Sequence, residues 1–128
     1  MTSEIILEAL QVRFSRDVIY TYVGEMLVAV NPLKPIHGLY DAAAMQRYTA
    51  VGAKHLLPPH IFAISDVAFA QMVSSGKDQV CVISGELGAG KTESAKLFTK
   101  QLVQVAKGGE IQGLEQRLIE VSLASNMP

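Results

Sequence analysis

The chain has 128 residues, enough for one domain with its own core, and 49% of them are hydrophobic, which excludes a disordered tract. Eleven Lys and Arg against 12 Asp and Glu leave a formal net charge of −1, so there is no basic footprint for nucleic acid or for an anionic membrane surface. The one cysteine, Cys81, lies in the apolar run Val80-Cys81-Val82-Ile83, which excludes an internal disulfide and reads as a small buried side chain in a reducing compartment.

Residues 5–14 place Ile6, Leu10 and Phe14 on one helical stripe, with Ser3 as the expected N-cap. From Ile19 the residues turn β-branched and aromatic. Ile19-Tyr20-Thr21-Tyr22-Val23 and Met26-Leu27-Val28-Ala29-Val30 predict two paired strands turning near Gly24. Asn31-Pro32 ends the second strand, because proline donates nothing to a ladder, and the chain through Gly38 is a loop. Asp41 caps a helix over 42–48, and Pro58-Pro59 breaks the chain before a helix over 60–73, with Pro59 suited to its first turn. That helix shares Ile61, Ile64, Ala68 and Met72 on one face, and Gly76 ends it. Residues 80–84 form a short continuous apolar run, the pattern of a strand buried on both faces of a parallel sheet. A helix over 91–106 follows, ended by Gly108-Gly109, and a last helix spans 111–121 with Ile111, Leu114, Leu118 and Val121 on one face. No repeat or low-complexity tract interrupts these elements. The start carries no basic segment followed by an apolar core, and no run approaches the ~18 apolar residues of a membrane span.

Between the predicted strand at 80–84 and the helix at 91 stands Gly85-Glu86-Leu87-Gly88-Ala89-Gly90-Lys91-Thr92, which fits G-x-x-x-x-G-K-T in the strand–loop–helix context that this pattern requires. Glycines at 85, 88 and 90 let successive backbone N–H groups converge at the positive end of the following helix, a cradle for phosphate oxygens. Lys91 reaches the β- and γ-phosphates of a nucleoside triphosphate, and the Thr92 hydroxyl is a hard oxygen ligand for magnesium. The plainer reading is a glycine-rich turn with no ligand. Glu86 and Glu93 are carboxylates at the loop, but Glu93 in a first helical turn simply complements the helix dipole. His37, His55 and His60 show no metal-ligand spacing and read as surface or core histidines.

Five segments in fixed order carry a wider resemblance: Arg13-Phe14, Ile19-Tyr20-Thr21-Tyr22-Val23-Gly24, Leu27-Val28-Ala29-Val30-Asn31-Pro32, Pro59-His60-Ile61-Phe62-Ala63 and Cys81-Val82-Ile83-Ser84-Gly85-Glu86. From residue 5 to 121 the chain resembles the myosin motor head, and Lys77-Asp78-Gln79 resembles the class III myosins and their relatives. The resemblance implies an α/β fold of the P-loop NTPase type, a strand–phosphate loop–helix unit with a β-hairpin and flanking helices. It implies ATP and Mg2+ as ligands, actin as the partner of the complete motor, and a cytoplasmic, cytoskeleton-associated place of work. By the same resemblance Asn31, Pro32 and Tyr40 border the adenine. Tyr40 also fits a core position, and the spacer 33–39 between Pro32 and Tyr40 is one residue longer than in many family members.

Two departures shape what is expected of this chain. The family writes Gly-Glu-Ser-Gly at the start of the loop, with the serine hydroxyl facing the γ-phosphate, whereas Leu87 has no hydrogen to donate, which bears on hydrolysis more than on binding. After Leu123 the sequence leaves the family pattern where it would run on toward the first switch loop, so 1–128 is expected to be the N-terminal part of a motor domain, cut before the switch segments. Such a segment binds nucleotide without turning it over, and no catalytic residue is assigned. The other reading is a degenerate nucleotide-binding or interaction module. A different P-loop kinase or GTPase explains the loop but not the Tyr-Thr-Tyr hairpin or Asn31-Pro32.

Overall fold

The computed structural model describes residues 2–50 and 56–107. In chain order it contains α1 (Ser3–Ser15), β1 (Tyr20–Val23), β2 (Met26–Ala29), α2 (Ala42–Ala50), α3 (Ile61–Ser75) and α4 (Lys91–Lys107). The helix expected over 111–121, the stop at Gly108-Gly109 and His55 lie outside the described residues.

The cap of α1 stands one residue before the expected Ser3. Thr2 is extended (φ −86°, ψ 158°) and its side chain accepts from the Ile5 amide, so Thr2 is the N-cap and Ser3 is the first helical residue. No residue of α1 is buried, and even Phe14 of its apolar stripe is 39% exposed. What ties α1 down is Arg13. Its Nε donates to Thr21 Oγ1 at 2.9 Å and its Nη2 to the Tyr20 carbonyl at 2.8 Å.

Strands β1 and β2 are antiparallel, with Tyr20 opposite Ala29 and Val23 opposite Met26, so Gly24 and Glu25 alone make the turn. Gly24 has φ +59°, as a type II′ turn requires of its first central residue. The amide of Val30 donates to the Ile19 carbonyl at 3.0 Å, extending the pairing to the residues the sequence included.

Helices α2, α3 and α4 surround the core. Asp41 caps α2, with Oδ1 accepting from the Ala44 amide at 2.8 Å. His60 caps α3 from an extended backbone, its Nδ1 accepting from the Phe62 amide at 2.9 Å, so Pro59 stands before the cap rather than in the first turn. Gly76, at φ +67°, ends α3 by donating to the Met72 carbonyl at 2.9 Å. Ile19, Tyr20, Ala44, Met45, Tyr48, Phe62, Ala63, Phe98 and Leu102 form the buried centre. The expected stripe of α3 lines this core, but fully buried Phe62 and Ser65 widen the covered face. Ser65 Oγ donates to the Phe98 carbonyl at 2.9 Å, binding α3 to α4. From α4, Gln101 Nε2 faces the Met45 carbonyl at 3.2 Å, Thr49 Oγ1 at 3.0 Å and Asp66 Oδ1 at 3.1 Å. One side chain thereby joins three helices.

Residues 80–84 differ from expectation. Among the described residues the only ladder is β1–β2, and 80–84 is not in it. Burial alternates along this segment: Cys81 and Ile83 are half-buried, whereas Val80 and Val82 are 87% and 84% exposed. That is the period of an extended chain lying with one face on the helices. The apolar run therefore marks extended backbone correctly but overstates its burial, because a groove of about 460 Å³ lined by Met26, Leu27, Ala29, Ile64 and Cys81 separates it from the hairpin. No helix among the described residues is long and apolar enough to cross a membrane.

Candidate functional site

The chain from Gly85 to Thr92 is built around three glycines. The Ala89 amide donates to the Glu86 carbonyl at 3.0 Å, closing a turn whose third residue, Gly88, has φ +83°, as a type II turn requires. Gly90 follows at φ +102°, where a side chain is strained. A Cβ on Gly85 would stand 3.1 Å from the Ala89 Cβ, so the loop also closes on itself there.

Helix α4 begins at Lys91, and the Ser94 amide donates to the Gly90 carbonyl at 2.9 Å. The amides of Lys91, Thr92 and Glu93 are then the orphan donors of a 17-residue helix, at the positive end of its dipole. The side chains of Lys91 and Thr92 are exposed beside them. Glu93 pairs with Lys96 at 3.5 Å on the solvent side, consistent with a carboxylate that complements the helix terminus. The orphan amides of a helix start, an ammonium and a hydroxyl suit a polyanion with an accompanying hard cation. Among the described residues no three His, Cys, Asp or Glu side chains gather to hold a metal ion by themselves. Leu87 is fully exposed at the tip of the turn, and Glu86 beside it is exposed too.

A second loop meets the first. Asn31 Nδ2 donates to the Gly88 carbonyl at 3.1 Å, and Asn31 Oδ1 accepts from the Leu33 amide at 2.9 Å, an Asx turn that fixes the side chain while Leu33 takes φ +57°. Pro32 is half-buried behind it. Lys34 pairs with Asp17 at 2.8 Å on the exposed side.

The far end of this second loop enters a buried aromatic cluster. Tyr40 joins its hydroxyl to that of Tyr20 at 2.7 Å and sets its ring edge-on to His60 and Phe62, at 5.5 and 6.0 Å between centroids. His60, at 2% exposure, has rings on several sides: Tyr20 at 5.1 Å, Tyr48 at 4.8 Å and Phe62 at 4.3 Å. Since Nδ1 accepts from the Phe62 amide, the proton is on Nε2, which donates to the Leu39 carbonyl at 2.8 Å. Burial pushes His60 down to about 4, assisted by the Arg47 charge and opposed by the bond to Leu39. Desolvation likewise raises Tyr20, Tyr22 and Tyr40, and brings Tyr48 up to about 12. The cluster is therefore neutral throughout the physiological range.

Of the residues singled out from sequence, the structure joins Asn31 directly to the glycine loop, while Tyr40 contacts the aromatic cluster. The sequence assigns His60 to the core or surface without a role, whereas in the fold both of its ring nitrogens are hydrogen-bonded. The available signal was the step from Pro58-Pro59 into an apolar helix, which requires a cap acceptor at residue 60.

Comparison with known proteins adds a family. The family described as Myosin head (motor domain) matches residues 1–126. The chain is 44% identical over 122 residues to a Myosin-I heavy chain of Dictyostelium discoideum, covering 95% of this chain and 5% of that one. It is 41% identical over 116 residues to Myosin-IIIa of Homo sapiens, covering 90% of this chain and 7% of that one. To Myosin-17 of Arabidopsis thaliana it is 39% identical over 123 residues, covering 96% of this chain and 8% of that one. The chain thus spans less than a tenth of the length of these three relatives.

Proposed function

Because the chain belongs to the myosin head (motor domain) family, we propose that it supplies the ATP-binding segment of an actin-dependent, cytoskeletal motor ATPase. The observation that carries this reading is the opening of α4, where Gly88 and Gly90 at positive φ turn the chain into a helix that begins with Lys91 and Thr92. In this reading the backbone amides of Gly85, Glu86, Leu87, Gly88 and Gly90 wrap the triphosphate, Ala89 closes the turn through its bond to the Glu86 carbonyl, and Lys91 neutralises the terminal charge. Thr92 provides a hydroxyl to Mg2+, which when bound spreads the charge of the β- and γ-phosphates. Asn31 and Pro32 form the neighbouring wall on the base side, held there by the contact with Gly88. Tyr40 belongs to the same wall, with its ring braced by the aromatic cluster.

Leu87 divides binding from turnover. Its side chain stands fully in solvent, so it leaves the backbone cradle unobstructed but contributes no hydroxyl to the terminal phosphate. Binding is therefore retained and hydrolysis limited. The reading is tested by equilibrium binding of magnesium-ATP to the full chain and to its Lys91→Ala variant. Losing a charge-assisted contact worth roughly 1.5–3 kcal/mol is expected to weaken affinity about ten- to a hundredfold. Equal affinity in the two proteins would remove the phosphate loop from the site.

A further inference from the structure

The loop 31–40 is fixed at both ends, and the two fixings differ in kind. At one end the exposed Asn31 amide bonds the Gly88 carbonyl of the glycine loop at 3.1 Å. At the other, two buried groups from separate elements hold adjacent residues: His60 Nε2 donates to the Leu39 carbonyl at 2.8 Å, and the Tyr20 hydroxyl meets that of Tyr40 at 2.7 Å. Between the two ends Lys34 pairs with Asp17 at the surface, Ile36 packs against the core, and the Leu39 amide donates to the Ile36 carbonyl at 3.3 Å across Gly38 at φ +74°. The direction of the loop beside the glycine cradle is therefore set from the buried end.

We propose that His60 and Tyr20 are positioning residues for nucleobase recognition, holding Leu39 and Tyr40 so that loop 31–40 forms a fixed wall for the base while the glycine loop takes the phosphates. This rests on the reading of residues 85–92 as a triphosphate site and adds to it a division of labour. The phosphates are held by the start of α4, and base selectivity is held by a cluster built on β1 and the start of α3. Two features suit His60 to this role. Its two ring nitrogens are committed to different partners, Nδ1 to the helix cap and Nε2 to the loop. Its ring is also enclosed by Tyr20, Tyr40, Tyr48 and Phe62, which keep the imidazole from swinging.

The two nitrogens allow the cap to be separated from the tether. In His60→Asn the side-chain oxygen can still accept from the Phe62 amide but the amide nitrogen is too short to reach Leu39. In His60→Gln an amide nitrogen is restored near the Nε2 position. Tyr20→Phe retains the ring and removes only the hydroxyl bonded to Tyr40. The readout is the ratio of affinities of the full chain for magnesium-ATP and for magnesium tripolyphosphate, which has the phosphates without the base, with circular dichroism reporting the fold.

Wild-type chain is expected to prefer ATP. H60N and Y20F are expected to lower that preference about tenfold and threefold, with tripolyphosphate affinity changed less than twofold, and H60Q is expected to recover most of it. Preference unchanged in both H60N and Y20F overturns the inference while leaving the triphosphate reading intact. Tripolyphosphate and ATP weakened in equal proportion also overturns it, since that marks a merely structural role. Should H60N fail to fold, Y20F decides alone. A wild-type chain that binds neither ligand rejects the triphosphate reading, and this inference with it.

Discussion

The side-chain amide of Asn31 donates to the backbone carbonyl of Gly88 over 3.1 Å, joining loops 57 residues apart in the chain. The bond fixes a carbonyl inside the glycine turn, one residue before the turn hydrogen bond closes at Ala89. Asn31 is itself held by the Leu33 amide at 2.9 Å, so its rotamer is already set.

Removing this tie is expected to cost binding and not folding. Both groups are exposed, so a net value of about 1 kcal/mol applies, and Asn31→Ala is expected to weaken magnesium-ATP about fivefold with the melting temperature nearly unchanged. Asn31→Asp is expected to be worse than alanine, because a carboxylate facing the Gly88 carbonyl has no hydrogen to donate and repels the triphosphate. Calorimetric titration of the three proteins checks the order.

Leu87 tests whether binding and hydrolysis separate. In a complete myosin head carrying Gly-Glu-Leu-Gly, nucleotide affinity is expected to be near that of the Gly-Glu-Ser-Gly version. Single-turnover hydrolysis is expected to be ten- to a hundredfold slower, equivalent to roughly 1.5–3 kcal/mol of lost transition-state stabilisation. Equal hydrolysis rates in the leucine and serine heads would show that full exposure of this side chain makes its identity irrelevant.

Acid stability has two opposed contributors. His60 is held near 4 when folded against an ordinary 6.5, so between these values the unfolded chain binds more protons, and the folded state loses stability as pH falls. For a fully buried imidazole the whole window corresponds to about 3 kcal/mol. Asp66 is raised from 3.8 to about 6 by desolvation, partly offset by its bond from Gln101. Its native form binds more protons in the same range, so it contributes stability that is fully present below 3.8 and lost as pH rises through 6. Asp66 is only half-buried, so its effect is the smaller. Urea denaturation from pH 4 to pH 7 is therefore expected to show a shallow net fall toward acid in the wild type. Asp66→Asn should steepen that fall, and His60→Gln should reverse it.

How much of this was legible in the sequence depends on whether the determinant was local. Gly24, Asp41 and Gly76 are punctuation whose effect is confined to a few residues, and the turn, the α2 cap and the α3 terminus all stand where the sequence puts them. The glycine loop was legible for the same reason, since its spacing specifies its own geometry. The α1 cap falls one residue before Ser3, because Thr2 or Ser3 is settled by which side chain reaches an amide, and Pro59 falls outside the first turn of α3 because the His60 ring supplies the cap acceptor. Residues 80–84 were read as a doubly buried strand because Val and Ile carry the same signature whether or not a neighbour pairs with them. The Asn31–Gly88 bond, the Gln101 bridge and the His60 cluster were not legible, as each depends on groups far apart in the chain that only the tertiary fold brings together.

In the proposed reading the turn at Gly88 and Gly90 and the first amides of α4 form a triphosphate cradle. The measurement that tests it most directly is the 15N–1H spectrum of the full chain titrated with magnesium-ATP. The amides of Gly88, Gly90, Lys91, Thr92 and Glu93 are expected to shift most, with smaller shifts at Asn31 and Leu33 through the Asn31–Gly88 bond. Magnesium tripolyphosphate should reproduce the shifts of the glycine loop and the α4 start. Saturable binding with shifts confined to residues remote from 85–93, or no shift at that loop at saturating nucleotide, would contradict the account.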